Sequence, residues 1–204
     1  MARVNIRGLQ AEIAVKGYKV FKPAAERRVR GALEKEAKKL MLDFEGHSVT
    51  EEIDEGPNAS NKSNALGGYG NLFSFMGFES GSDPISPIRS LLARSIQIKS
   101  FRKKRNVLGF RLKFTVPTKE QIDAISPMPW STDSWTDAVE KGVSGLGQYL
   151  HSKDRHFNTS RSGKGIQIDF DFSGGGRANS TPTDYITGIL NRMLKGIETS
   201  LKRI

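Results

Sequence analysis

Apolar positions recur at helical spacing along four stretches of the chain and alternate along two others. From Pro23 onward, Val29, Leu33, Ala37, Leu40, Met41 and Phe44 fall on one helical face, with Lys35, Lys38 and Lys39 outside it. Pro23 suits the first turn of that helix and Gly46 its stop. Pro87 is expected to open a shorter helix through Ile88, Leu91 and Leu92 that ends near Arg94. Ser134 and Asp137 have capping-box spacing and predict a third helix, with Trp135, Ala138, Val139, Val143, Leu146 and Tyr149 on its buried face. Gly142, Gly145 and Gly147 weaken it, so tertiary packing must hold it. Thr181-Pro-Thr-Asp184 supplies a cap, a first-turn proline and an acid for a closing helix, whose stripe is Ile186, Ile189, Leu190, Met193, Leu194, Ile197 and Leu201.

The cleanest alternation runs through Leu108, Phe110, Leu112, Phe114 and Val116, with Gly109, Arg111, Lys113 and Thr115 on the opposite face. Ile96, Ile98 and Phe101 precede it across the basic link Arg102-Lys-Lys-Arg-Asn106, which predicts an antiparallel hairpin with one packed and one wet face. Ile166, Ile168, Phe170 and Phe172 alternate in the same way, and Gly174–Ser180 reads as a flexible bend. The first twenty residues show only partial alternation and read as a short strand or extended arm. Together these elements predict an α+β fold: an antiparallel sheet packed on one side by helices, with long extended loops. One domain spans residues 1–204, with a long loop or clamp at 45–90 and an insertion or arm at 126–180.

Within that loop, Leu66-Gly-Gly-Tyr-Gly-Asn-Leu-Phe-Ser-Phe-Met-Gly-Phe78 places four aromatics among four glycines. The glycines argue against a buried helix, and no unbroken period of two runs through the aromatics. A loop this apolar needs a surface to bury itself against. Polar linkers on both sides favour a neighbouring subunit, so Tyr69, Asn71, Leu72, Phe73, Phe75, Met76 and Phe78 are the expected subunit-contact residues. Burying three of its phenylalanines is worth roughly 5 to 8 kcal/mol.

Charge adds a second candidate surface. The 204-residue chain carries a formal net charge of +10, distributed unevenly. Residues 1–40 hold eleven Lys or Arg against four Glu, residues 43–55 hold six acids and no Lys or Arg, and residues 94–119 hold nine cations and no acid. Arg102, Lys103, Lys104 and Arg105 repel one another at the hairpin tip, and phosphates would relieve that cost. No aromatic stands there to stack bases, so any contact would be with the DNA backbone.

Reaction chemistry is not legible. His151 and His156 are five apart, the wrong offset for one helical face, and His47 reads as a solvated loop residue. Gly163-Lys-Gly165 lacks the P-loop arrangement, and no serine sits in a nucleophile elbow. The absence of cysteine excludes disulfides and thiolate metal sites. No catalytic residue, metal or cofactor is expected, and no apolar stretch at Met1–Arg7 is long enough for a signal or a membrane span.

The segment Ala32-Leu-Glu-Lys-Glu-Ala37, His47-Ser-Val-Thr50 and above all Gly70-Asn-Leu-Phe-Ser-Phe-Met-Gly-Phe78 resemble neck and head–tail joining (tail-completion) proteins of tailed bacteriophages. The likeness covers residues 24–116, and residues 126–180 have no counterpart in it. It implies a structural, non-enzymatic virion protein at the neck/tail junction, present in the host cytoplasm during assembly. The implied state is a hexameric or dodecameric ring between portal or connector proteins and tail-terminator or tail-tube proteins, around a channel for genomic DNA, without a membrane. A basic nucleic-acid-binding module is the alternative.

Overall fold

A 40-residue helix, α1 (Ile6–Glu45), organises the molecule in this computed structural model. The structure describes residues 6–67, 70–103, 110–129, 131–142 and 180–202, with the side chains at 6–16, 95 and 103 outside that description. Residues 6–20, expected to be extended, are therefore helical, and Pro23 lies inside the helix instead of opening it. From residue 17 to residue 28 no side chain of α1 is buried, so this stretch carries no core-facing apolar stripe to announce a helix. Proline there withholds one backbone donor, which solvent can replace on an exposed helix. The second half behaves as its pattern predicts: Val29, Leu33, Leu40 and Phe44 are buried, and the helix ends before Gly46.

Next come α2 (Ser48–Asp54), a 3-10 turn at Gly56–Asn58, the single-turn α3 (Leu72–Phe75) and α4 (Ser86–Ser95), with Pro87 in the first turn of α4. Strands β1 (Gln97–Lys103) and β2 (Phe110–Thr115) form the expected antiparallel hairpin. Arg102 and Lys103 belong to its ladder instead of its tip, opposite Arg111 and Phe110. α5 (Lys119–Asp123) was not expected, although Thr118-Lys-Glu-Gln121 spells a capping box that the structure forms in full. α6 (Trp135–Lys141) starts at Ser134 as expected, and α7 (Ile186–Lys202) closes the chain. The fold is α+β but mainly helical, with a sheet of two strands among the described residues. The expected strand at 166–172, the bend at 174–179 and the α6 extension through Val143, Leu146 and Tyr149 lie outside the described residues.

α7 runs antiparallel to the second half of α1. Asp43 pairs with Arg192 at one end, and the Ser200 hydroxyl donates to Glu36 at the other, 2.9 Å away. Ile186, Ile189, Leu190, Met193 and Ile197 are buried as expected, whereas Leu194 is 45% exposed. The start of α7 departs from its sequence signal. Residues 180–185 have no regular secondary structure and α7 starts at Ile186, so Thr181 is not its cap; the Thr181 backbone N–H donates to Ala65 O and that of Thr183 to Val139 O. Glu140 of α6 caps α7 instead, accepting from the Thr187 N–H at 2.5 Å and the Thr187 hydroxyl at 2.8 Å.

Aromatic rings link the pieces. Phe73 meets Phe78 at 5.4 Å between centroids, Phe78 meets Trp135 edge-on at 5.9 Å, Trp135 meets Tyr185 at 6.0 Å, and Tyr185 stacks on Phe44 at 6.3 Å. This chain of rings joins α1, the aromatic loop, α6 and the approach to α7. The close approach at the end of α6 requires glycine. Gly142 has φ 74°, and a Cβ there would lie 2.7 Å from Ser180 O. Gly142→Ala should therefore lower the unfolding free energy by about 2 kcal/mol in urea titration, and an unchanged midpoint would show that this turn is not under constraint.

Candidate functional site

The aromatic-glycine loop is part of the core. Asn71, Leu72, Phe73, Phe75, Met76 and Phe78 are all buried within their own chain. This corrects the expectation that these residues wait for a neighbouring subunit; Tyr69 lies outside the described residues. The glycines do not prevent burial because only one helical turn forms between them, with Gly70 and Gly77 at positive φ on either side.

The polar framework explains how a buried loop satisfies its backbone. The Glu52 carboxylate, fully buried on α2, accepts from the Leu72 N–H at 2.7 Å and the Ser63 N–H at 2.8 Å. Asn71 caps α3 by accepting from the Ser74 N–H at 2.9 Å, and its amide donates to Pro57 O and Ala59 O, both at 3.1 Å. The polar connector before the loop is thereby tied to α2. Sequence reasoning passed over Glu52 because its partners are 11 and 20 residues away.

His47 is a structural cap. Its Nδ1 accepts from the Val49 N–H at 3.3 Å, and its Nε2 lies 3.1 Å from Asp184 O. A carbonyl only accepts, so the Nε2 atom carries the proton and the ring is neutral. The imidazole also packs 4.8 Å from the Tyr185 ring. Burial lowers its pKa from 6.5 and Arg192 adds to this, against the opposing pull of the Asp184 carbonyl. Tyr185 shares a 2.8 Å hydrogen bond with Thr50, and burial raises its phenol well above its ordinary value.

An open cleft of about 330 Å³ is lined by Glu45, Thr50, Glu51, Asp54, Glu55 and Lys62. Its acids are matched by cations. Lys62 bridges Glu51 and Glu55, and Arg89 binds Glu45 through two bonds of 2.6 and 2.9 Å and reaches Asp54 at 3.3 Å. A second network surrounds Lys119, 2.7 Å from Asp123, 2.8 Å from Asp137 and 3.5 Å from Glu140. Among the described residues no group of His, Asp and Glu is arranged to hold a metal ion. Both networks tie helix ends together and present no reacting set.

The hairpin carries a different electrostatic pattern. Ile98, Phe101, Leu112 and Phe114 pack toward the core, and Lys99, Arg102, Arg111 and Lys113 are exposed. Arg102 stands directly across from Arg111. Of the expected phosphate-facing cluster, Arg102 is placed on this wet face, the side chain of Lys103 is not described, and Lys104 and Arg105 lie outside the described residues. Alternation alone had put Arg111 and Lys113 on the wet face; the missing piece was the strand register. Tyr18 of α1 packs 5.5 Å from Phe110, which stacks 4.8 Å from Phe101, so the hairpin supports the first half of α1. Beyond Tyr18, Val20 and Phe21 are 71% and 56% exposed.

The chain matches no protein-family model, no curated protein and no solved structure. No described helix is long and apolar enough to cross a membrane.

Glu52→Ala should destabilise the protein by about 2 to 3 kcal/mol, because two buried N–H groups lose their acceptor. Glu52→Gln should destabilise it too, since it turns a donor toward one of them; a urea midpoint unchanged in both variants would contradict the clamp. A pH effect follows from His47. Its folded pKa is depressed, so below 6.5 the unfolded chain takes up the proton first and stability falls with pH. Tm should be lower at pH 5.5 than at 7.5, with a smaller drop in His47→Asn, which caps without titrating. An identical drop in the variant would exclude His47 as the source.

Proposed function

We propose that this chain is a structural component of a phage neck or tail-completion ring, joining a head connector to a tail around the DNA channel. The observation that carries the reading is the length of α1 together with the exposure of Val20 and Phe21 on it. At 1.5 Å per residue the helix is roughly 60 Å long, against a diameter of about 40 Å for a domain of this size. Its polar contacts with α7 fall at Glu36 and Asp43, so about 30 residues of α1 lie on the N-terminal side of them. The hairpin braces this arm through Tyr18 and Phe110 while Val20 and Phe21 stay exposed. Such an arm suits insertion against the next copy in a ring, and it takes over the clamping role first assigned to the aromatic loop. The resemblance at His47–Thr50 and Gly70–Phe78 gives the ring its proposed place, between portal or connector proteins and tail-terminator or tail-tube proteins. Its residues serve the subunit's own core and would be kept for stability.

A free-standing nucleic-acid-binding module is the second reading, favoured by the bare cations on the hairpin. The two readings differ on particle association. The purified chain should form a closed ring by light scattering and electron microscopy. Val20→Asp/Phe21→Asp should weaken that ring by about a hundredfold or more in Kd while remaining folded. Antibodies to the chain should decorate the neck of the encoding phage. A concentration-independent monomer that is also missing from mature particles would overturn the ring reading.

A further inference from the structure

We infer that the wet face of the hairpin, formed by Lys99, Arg102, Arg111 and Lys113, is a docking surface for the phosphate backbone of duplex DNA. This surface is independent of the ring reading and supplies the second reading with its residues.

The reasoning begins with the register. Arg102 lies opposite Arg111, and Lys113 lies opposite Ser100 two rungs away, so three cations share the wet face. Lys99 is the extra residue at the irregularity between Ile98 and Ser100, and its ammonium hydrogen-bonds Gln97 at 3.2 Å. Like charges directly opposite one another destabilise a sheet pair. The usual remedy, a neighbouring carboxylate, is used elsewhere in this molecule: Lys62, Arg89, Lys119, Lys141, Arg192 and Lys202 each have an acidic partner. Among the described residues none of the four hairpin cations has one, and residues 94–119 contain no Asp or Glu to supply it.

Two occupants compete for such a hairpin. A second copy could extend the sheet through its open edges, but that would place a second basic ladder beside the first. An anion relieves the repulsion instead. Strands about 4.8 Å apart and same-face residues about 6.7 Å apart along each strand make a grid of charge, with no aromatic platform among the described residues of this face. The partner with matching dense and regular negative charge is a duplex backbone, contacted without base readout.

The test uses the full-length chain and a fluorescein-labelled DNA duplex of about 30 base pairs, followed by anisotropy between 50 and 200 mM salt. If all four cations contact phosphates, the log–log salt slope contains about −3.6 from this face, a loss of roughly a hundredfold in affinity across that range. Arg102→Gln and Arg111→Gln should each reduce the slope by about 0.9, and the fourfold Gln variant should remove the whole contribution. Lys141→Gln and Lys202→Gln, which alter paired cations elsewhere, should leave it unchanged. Arg102→Gln/Arg111→Gln should also keep or raise Tm, because it removes the facing charges, so lost binding cannot be attributed to unfolding. No duplex binding at 50 mM salt, or a slope that the hairpin variants do not change, would overturn the assignment. Equally tight binding of poly-glutamate would also overturn it, in favour of an acidic protein face.

Discussion

The buried Glu52 carboxylate is the constraint on which the rest of the structure depends. An ionisable group without solvent access is expensive unless its lone pairs find donors. Here those donors are the Ser63 N–H, from the connector before the aromatic-glycine loop, and the Leu72 N–H, from within it. The exchange works in both directions. The carboxylate satisfies backbone groups that burial of the loop would otherwise leave unpaired, and the loop supplies the donors that let Glu52 face inward. Asn71 completes the seal with three further bonds, and Phe73, Phe75 and Phe78 can then enter the core.

Phe73, Phe75 and Phe78 are each at most 5% exposed. Fully buried side chains of this size contribute about 1.5 to 3 kcal/mol each. That energy is used within the subunit, where Phe78 and Trp135 connect the loop to Tyr185 and thus to both long helices. Two described surface features differ in kind: Val20 and Phe21 exposed on α1, and a sheet face whose cations have no acidic partner among the described residues. One offers area to a protein neighbour and the other offers charge to a polyanion. The proposed ring contact would use the first of these surfaces and the proposed duplex contact the second.

Much of the fold was legible where burial leaves a period. The second half of α1, the hairpin, the Ser134 cap and the α7 stripe all follow from spacing, since each packs one face against the core. The misreadings share a cause as well. Residues 17–28 of α1 include no buried side chain, so no core-facing apolar stripe marks that stretch as helix. Pro182 and Asp184 imitate a helix start, but Glu140 satisfies the first turn from another helix, a contact 47 residues distant. The aromatic loop was read correctly as needing a surface and wrongly as lacking one of its own, because the clamp depends on tertiary contacts. On the hairpin, composition exposed the excess of cations, and only the pairing of Arg102 with Arg111 showed that they share a face.

The central claim is that the aromatic loop is locked inside its own subunit by Glu52, and amide hydrogen exchange on the dilute, unassembled chain tests it most directly. The account expects the Leu72, Ser63 and Ser74 N–H groups to exchange only through global unfolding, at rates matching the α7 core. Fast exchange at these amides in the isolated chain, with protection appearing only on assembly, would contradict it.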